Sequence, residues 1–208
     1  MVIITEEAYK KALEIVELAP EEITFFGFVV EEGVDLIINE IFLPKHQVCQ
    51  PAHTNLLAEG YDELIDVEAE LREKHGSGFF RCHFHSHVNM GVTPSGVDDS
   101  TLSEFLEDIP YFLTIIMNKK GEHHLRVGFM GMISTETLHF YEKEKVRSND
   151  FDFFKERIEE ITDYSKESSN KNYPINYGYG QNWVQPSFIG IDDKYNPKAR
   201  KAKKKTKE

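Results

Sequence analysis

FFRCHFHSHVNMGVTPSGVDDS, residues 79–100, is the stretch of the sequence that says most about the fold. The segment 78–84 has the pattern of a β-strand, 88–97 is a loop containing Gly and Pro, and 98–106 is predicted to form a short helix. Histidines stand at every second position along the end of the strand. Because alternate side chains of a strand point to the same face, His85 and His87 are predicted to project together and to share a metal ion.

Asp98 is predicted to complete this metal site. It stands eleven residues after His87, and a strand, a turn and a helix N-terminus can bring its carboxylate back over the end of the strand. Two imidazoles and one carboxylate make a three-ligand zinc site whose fourth position is open to water, as in catalytic sites. We therefore predict one Zn²⁺ per chain, which lowers the pKa of the water and polarises a carbonyl group. Ser95 is predicted to hold the developing oxyanion or to orient the water.

Each of these residues taken alone has a simpler explanation. An isolated H-x-H pair is more often solvated or hydrogen-bonded than bound to a metal, Asp98 alone is most simply a helix N-cap, and Ser95 a turn residue. The spacing of the whole set favours the metal site. Among the neighbouring residues, His83 is predicted to lie deeper in the strand and Cys82 in the core. Surface, loop or solvent-facing positions are expected for His46, His53, Asp99, His123 and His124.

The complete pattern, H-x-H, seven residues and S-x-x-D, resembles the signature of the JAMM (MPN+) metallopeptidase family at every defined position, including Ser86 between the histidines. The resemblance extends loosely over residues 1 to about 145, and the phrase HSHVNMGVTPSGVD is most similar to the phage and bacterial JAB-type branch. It implies that His85, His87 and Asp98 bind zinc and that Ser95 supports a tetrahedral intermediate. It also implies cleavage of a peptide or isopeptide bond, with release of ubiquitin or a ubiquitin-like protein, or action on a tail, cell-wall or sulfur-carrier peptide.

The family also has a glutamate on an early strand, commonly as E-x-x-G, and this sequence departs from that spacing. Thr24 stands three residues before Gly27, and the nearest carboxylates are Glu21 and Glu22. A displacement of two residues along a strand keeps a side chain on the same face, so Glu22 is predicted to be the general base and Glu21 to point away. The phage-like branch is similar in having a longer E-I-x-x-x-G spacing. The alternative is that Glu22 is an exposed charge beside the strand.

The segments around this site predict an α+β (α/β) sandwich, with a central, mostly antiparallel β-sheet flanked by helices. Residues 1–165 are expected to form the metallohydrolase domain, and 166–208 an extended arm with a disordered basic tail. Helices are predicted at 6–18, 55–75 and 151–164. Strands are predicted at 23–30, 34–43, 111–117, 123–131 and 133–141. Segment 44–54 is expected to be a loop or irregular strand.

Composition limits the functional classes. The net charge is −12, but the last twelve residues contribute about +6, so the rest carries about −18 and nucleic acid is expected to bind only through the tail. Two cysteines, Cys49 and Cys82, and the lack of a leader or a long apolar run indicate a cytoplasmic protein with no membrane partner. A protein or peptide is the expected substrate, and the oligomeric state is left open. The alternative function is a catalytically silent MPN-type scaffold that recruits protein or nucleic acid through its arm and tail.

Overall fold

The computed structural model describes residues 1–107, 109–140 and 148–169, which form ten strands and four helices. The helices are α1 (Glu6–Leu18), α2 (Ala58–His75), α3 (Gly96–Phe105) and α4 (Phe151–Ser169). The strands are β1 (Val2–Ile4), β2 (Thr24–Glu32), β3 (Asp35–Phe42), β4 (Gln47–Gln50), β5 (His53–Leu56), β6 (Phe79–Ser86), β7 (Tyr111–Met117), β8 (His123–Phe129), β9 (Met132–Glu136) and β10 (Leu138–Phe140).

Eight strands form one sheet in the order β10-β1-β3-β2-β6-β7-β8-β9, while β4 and β5 form a separate hairpin. Four of the seven strand pairs in the eight-stranded sheet are antiparallel, and the parallel pair β6–β7 is joined by a crossover that contains α3. One residue separates β9 from β10, although they lie at opposite ends of this order. Because consecutive Cα atoms are about 3.8 Å apart, those two ends meet and the sheet must curl strongly. The predicted α+β sandwich with a mostly antiparallel sheet is confirmed.

Alternation along the central strands separates two layers of core. Phe25 and Phe84 face α1 and α4 in the larger core cluster, whereas Phe26 and Phe80 face α2. Phe84 and Phe80 reach opposite faces because a bulge interrupts β6: Gly27 pairs with Cys82 but Phe28 pairs with Phe80. The bulge therefore sets which face the later residues of β6 present. His83 and His85, which pair with Phe26 and Thr24, lie on the same face as α2 and α3.

Local chemistry explains where the first helix begins and ends. Thr5 is its N-cap, because the Thr5 hydroxyl accepts a hydrogen bond from the Ala8 N–H at 3.3 Å. Glu6 and Glu7 stand in the first turn, where a carboxylate is favourable at the positive end of the helix dipole. The helix ends just before Pro20, as predicted.

Several predicted boundaries were wrong. Segment 44–54 is not irregular, because Gln47–Gln50 pairs with His53–Leu56 in the β4–β5 hairpin, and α2 consequently begins at Ala58 and not at 55. The strand predicted at 133–141 is divided between β9 and β10, which pair with different partners. β1 was not predicted, since three residues are too few to show a period.

The two later helices also differ from their predicted limits. Helix α3 begins at Gly96, two residues earlier than predicted, because Ser95 supplies the N-cap. Helix α4 continues to Ser169, so the predicted domain boundary at 165 falls inside it. From residue 170 onward, the predicted arm and tail lie outside the residues that the structure describes. None of the helices that the structure describes is long and apolar enough to cross a membrane.

Candidate metal centre

Three side chains that the sequence pattern selects converge beside the end of β6. His85 belongs to β6, His87 follows its last residue, and Asp98 lies in the first turn of α3. His85 Nε2 lies 3.2 Å from His87 Nε2 and 3.1 Å from Asp98 Oδ1. One ligand atom from each residue lies within 4.8 Å of the others. The structure therefore brings together the three residues that were predicted to bind the metal.

The donor set and its spacing fit a zinc ion. Zinc takes imidazole nitrogen and carboxylate oxygen at about 2.0–2.2 Å, so neighbouring ligand atoms of a tetrahedral site are separated by about 3.3–3.5 Å. The two short separations at His85 Nε2, 3.2 Å and 3.1 Å, are close to that value. Three protein ligands leave a fourth position for a water or a substrate atom. This is the arrangement typical of catalytic zinc sites, whereas structural sites fill all four positions with protein.

His87 is held in the orientation and tautomer that a metal ligand needs. Its Nδ1 lies 2.7 Å from the Gly91 carbonyl oxygen, and since a carbonyl can only accept, Nδ1 carries the proton and donates. The lone pair of the neutral ring is then on Nε2, the atom that faces His85. A hydrogen bond from the second ring nitrogen to a carbonyl is a common support of metal-binding histidines. The Gly91 carbonyl therefore prepares His87 for a cation.

Asp98 is fixed by a capping box at the start of α3. The Ser95 N–H and the Ser95 hydroxyl both donate to Asp98 Oδ2, at 2.5 Å and 2.7 Å, and the Asp98 N–H donates to Ser95 Oγ at 3.4 Å. These bonds occupy Oδ2 and leave Oδ1 toward His85. Burial opposes ionisation, but the hydrogen bond and charge of His85 and the bonds from Ser95 hold the pKa of Asp98 well below its usual range. Asp98 is therefore a carboxylate at neutral pH.

This geometry changes two sequence-based interpretations. Ser95, and not Asp98, is the N-cap of α3, so the alternative explanation of Asp98 as an N-cap is wrong. The hydroxyl of Ser95 donates its single proton to Asp98 and so positions that carboxylate, and this proton would have to turn away from Asp98 to serve an oxyanion. Ser86, the serine between the two histidines, has a contact of its own: its Oγ accepts from the Ile23 N–H at 3.2 Å and its N–H donates to the Ile23 carbonyl at 3.0 Å.

Glu22 lies beside the three candidate metal ligands, just before β2 begins. It is only 6 % exposed, so the alternative of an exposed charge is wrong. A cavity of about 350 Å³ is lined by Glu22 together with His85, His87 and Asp98. Burial raises the pKa of Glu22 to about 7, with positive charge on His85 opposing this shift and the Asp98 carboxylate adding to it. A carboxyl whose pKa is raised to near neutrality beside a candidate metal site suits a general base.

Glu21, the neighbouring carboxylate, lines a different cavity, as expected for the opposite face of an extended chain. Gly27, five residues after Glu22, is required by close packing in the middle of the sheet. A Cβ atom at Gly27 would lie 2.9 Å from both Ile38 Cγ2 and Phe84 Cε2. The glycine of the E-I-x-x-x-G pattern thus allows β2 to sit tightly between its neighbours.

The remaining residues near the site make contacts of other kinds. His83 Nε2 lies 3.4 Å from Thr24 Oγ1, and its ring is 5.5 Å from that of His85. Burial and the charge of His85 lower the pKa of His83 to about 3, against an opposing effect of Asp98, so His83 is neutral at physiological pH. Cys82 is fully buried, as predicted for the core. Asp99 is exposed but forms an ion pair with Arg126 of β8.

His53 is a cavity residue that sequence reasoning assigned to a loop. It lies in β5 and lines the metal-site cavity together with Ala52 and Thr54. Its spacing to the other site residues carries no signal, and only recognition of the β4–β5 hairpin would have placed it there. His46 instead lies 2.5 Å from Glu63 through its Nδ1, away from the metal-binding group. His123 and His124 belong to β8.

Comparison with known proteins gives a likeness of fold. No protein-family model matches the chain, and no curated protein matches its sequence. The solution structure of DSY2949 from Desulfitobacterium hafniense has a TM-score of 0.50 and 19% identity, covering 69% of this chain and 94% of that one. The crystal structure of AF2198, a JAB1/MPN domain protein from Archaeoglobus fulgidus, has a TM-score of 0.40 and 14% identity, covering 67% and 97%. Function therefore has to be argued from the site.

Proposed function

We propose that this chain is a zinc-dependent hydrolase of the JAMM type that cleaves a peptide or isopeptide bond. One observation carries the proposal: a group of two histidines and one aspartate with the spacing of a zinc site shares a cavity with the buried carboxyl of Glu22. Each component has a distinct task in hydrolysis. The resemblance of residues 85–98 to the JAMM signature supports the choice of an amide bond among the bonds that zinc enzymes hydrolyse.

His85, His87 and Asp98 would hold the ion. A bound zinc ion supplies Lewis-acid polarisation of the scissile carbonyl and lowers the pKa of a coordinated water. The chain's own contribution to the reaction is proton transfer: Glu22, as a carboxylate, accepts a proton from the attacking water and delivers it to the leaving amine. Its pKa near 7 suits both transfers, because such a group is a usable base and, once protonated, a usable acid at neutral pH.

Ser95 has two roles in this proposal. Its hydroxyl and N–H hold Asp98 Oδ2, which keeps Oδ1 available to the ion. Ser95 also lines the cavity, and its hydroxyl can support the developing oxyanion if its single proton turns away from Asp98, whose Oδ2 then keeps the hydrogen bond from the Ser95 N–H. The exposed side chains of Met90 and Val97 line the same cavity and offer apolar contacts to a protein or peptide substrate. A ubiquitin-like protein joined to lysine is the substrate class that the family resemblance favours.

A catalytically silent scaffold is the other function that the sequence leaves open, and Glu22 argues against it. Its carboxyl is buried with no hydrogen-bond donor or ion-pair partner among the described residues, and burial of such a group costs stability. A fold that only recruits partners gains nothing from this cost. A hydrolase gains from it, because burial raises the pKa of Glu22 to the range that proton transfer requires. Recruitment of nucleic acid by the basic tail is compatible with either function.

Paired measurements test the proposal. Zinc content is determined in the purified wild-type protein and in His85→Ala, and cleavage of an isopeptide-linked lysine substrate is assayed for wild type, Glu22→Gln and the matched control Glu21→Gln. We expect one zinc per wild-type chain, a large loss of zinc in His85→Ala, and loss of cleavage in Glu22→Gln alone. A wild-type chain without stoichiometric zinc would overturn the metal assignment. Normal cleavage by a zinc-loaded Glu22→Gln would overturn the base assignment.

A further inference from the structure

A second cavity, of about 310 Å³, lies beside the metal site and is not used by the proposed reaction. Its walls come from the residues before β2, from the β4–β5 turn and from the last turns of α4. The apolar part of its lining includes Ile23, Cys49, Pro51, Ile158 and Ile161. Burial raises the pKa of the Cys49 thiol to about 12, so this cysteine acts as an apolar wall residue and not as a nucleophile.

Four polar residues also line this cavity, and they form its rim because Glu21, Gln50 and Thr162 are partly exposed and Lys166 is exposed. A pocket with an apolar interior and a polar rim fits a side chain with a large apolar body and one hydrogen-bonding group. Tyr and Trp have this character, and when they are buried the O–H or N–H usually finds a partner. Glu21 can accept such a hydrogen bond at the rim. The chemistry of the cavity therefore selects an aromatic side chain with a donor.

We propose that Trp183 of the same chain, carried by the aromatic segment 173–183, binds in this cavity. Lys166 lines the cavity and α4 ends at Ser169, so the 39 remaining residues start beside it. The fourteen residues from Ser169 to Trp183 can span up to about 50 Å when extended, more than this approach requires. A tether of this length also keeps the segment at an effective concentration on the order of millimolar.

Charge complementarity favours the same occupant. Residues 197–208 carry about +6, whereas the rest of the chain carries about −18. The segment with Trp183 stands between α4 and this basic end in the sequence, so attraction of the basic residues to the acidic body would favour its docking. Glu21 adds a negative group at the rim of the cavity itself. A partner protein would need to compete with a tethered and electrostatically attracted segment.

Occupation of this cavity would reach the metal site through the β4–β5 hairpin. Gln50 and Pro51 line the second cavity, whereas the next residues of the hairpin, Ala52 to Thr54, line the metal-site cavity. The Glu22 N–H donates to the Gln50 carbonyl at 3.2 Å. A docked Trp183 therefore stiffens the segment that positions Glu22. This consequence rests on the proposed function, but the docking does not.

Tryptophan fluorescence of the full chain tests the docking directly, because Trp183 is the only tryptophan. In the wild type we expect blue-shifted emission and acrylamide quenching several-fold weaker than in the urea-unfolded chain. Thr162→Phe fills the cavity from α4, and the hydrogen bond that the Thr162 hydroxyl donates among the described residues stays within its own helix, at the Ile158 carbonyl. This variant should shift the emission to the red and restore strong quenching. Glu159→Phe, on the exposed side of α4, is the matched control and should leave both unchanged.

Three outcomes overturn the proposal. One is solvent-exposed emission of Trp183 in the folded wild type. Another is blue-shifted emission that Thr162→Phe leaves unaltered while circular dichroism shows a folded chain, since Trp183 would then be buried elsewhere. The third is a blue shift that disappears on dilution together with a change in oligomeric state, which would place Trp183 in the cavity of a second copy. None of these readouts depends on zinc or on cleavage, so the docking and the proposed function fail independently.

Discussion

Glu22→Gln should make the metal-free protein more stable at alkaline pH while it removes the proposed general base. Glu22 is 6 % exposed, and burial raises its pKa to about 7 from the ordinary value of 4.5. The folded state therefore holds this proton more tightly than the unfolded state. Its contribution to stability is constant below pH 4.5, falls as the pH rises toward 7, and is constant again above that. Glutamine removes this ionisation from an otherwise similar side chain.

The size of the effect follows from the two pKa values. Each pKa unit is worth about 1.36 kcal/mol, so ionisation of Glu22 lowers the free energy of unfolding by about 3 kcal/mol above pH 8. We expect Glu22→Gln to recover an amount of this order, about 2–3 kcal/mol at pH 8, and to gain little at pH 4.5. For a domain of this size, a gain of 3 kcal/mol corresponds to a rise in Tm of roughly 6–12 °C.

Urea unfolding of EDTA-treated protein at pH 4.5 and pH 8 measures this difference. Glu21→Gln is the matched control, because Glu21 lines the other cavity, and its effect should stay within about 0.5 kcal/mol at both pH values. A Glu22→Gln effect that does not change with pH would refute the argument that Glu22 is buried with a raised pKa. Destabilisation at pH 8 would refute it as well, since it would mean that the carboxylate makes favourable contacts in the folded protein.

Four further predictions concern the candidate site and the sheet that carries it. Cleavage should rise with pH through an apparent pKa at or below about 7, because Glu22 must be ionised to accept a proton and a bound cation lowers its pKa; a flat rate between pH 5 and 8 would contradict this. Zinc at about 100 times its Kd should raise the free energy of unfolding of the wild type by about 2.7 kcal/mol, as measured by denaturation with and without zinc. The same zinc concentration should change the free energy of unfolding of His87→Ala very little. Ser95→Ala should lower the free energy of unfolding by about 1 kcal/mol, because α3 loses its N-cap. It should also weaken zinc affinity roughly 10–100-fold in a chelator competition, because Asp98 loses its support. Unchanged affinity would mean that Ser95 does not position Asp98. Gly27→Ala should lower the free energy of unfolding by about 1–3 kcal/mol, since its Cβ would meet Ile38 and Phe84 at 2.9 Å, and a neutral result in urea unfolding would show that the sheet relaxes around it.

The candidate metal-binding group could be predicted because it is nearly local in sequence. His85 and His87 are two residues apart at the end of a strand, and Asp98 follows after one turn and the start of one helix. Their convergence needs only the period of a strand and the position of a helix N-terminus. The support of each ligand was less visible. Nothing in the sequence indicated that the Gly91 carbonyl accepts a hydrogen bond from His87, or that Ser95 donates two hydrogen bonds to Asp98.

Long-range pairing is what the sequence could not provide. Pro44 precedes the β4–β5 hairpin, Pro51 stands in its turn, and its apolar residues do not alternate. The pairing was therefore not predicted, and His53 was assigned to a loop. The hairpin is fixed from outside by Gln47, whose buried side chain exchanges hydrogen bonds with both backbone groups of Thr24. Contacts of this kind join residues more than twenty positions apart. The period of apolar residues within one segment carries no information about such contacts.

The position of Glu22 shows how the structure accommodates the longer E-I-x-x-x-G spacing. Thr24, at the position of the common E-x-x-G glutamate, pairs with His85 in the sheet and directs its hydroxyl to His83. Glu22 lies two residues earlier on the same side, where the backbone has different partners. Ser86 forms hydrogen bonds with both backbone groups of Ile23, and the Gln50 carbonyl accepts one from the Glu22 N–H. The carboxyl that is proposed as the base is therefore positioned jointly by β6 and by the β4–β5 hairpin. Because the hairpin also forms a wall of the second cavity, changes at that cavity should alter proton transfer more than zinc binding.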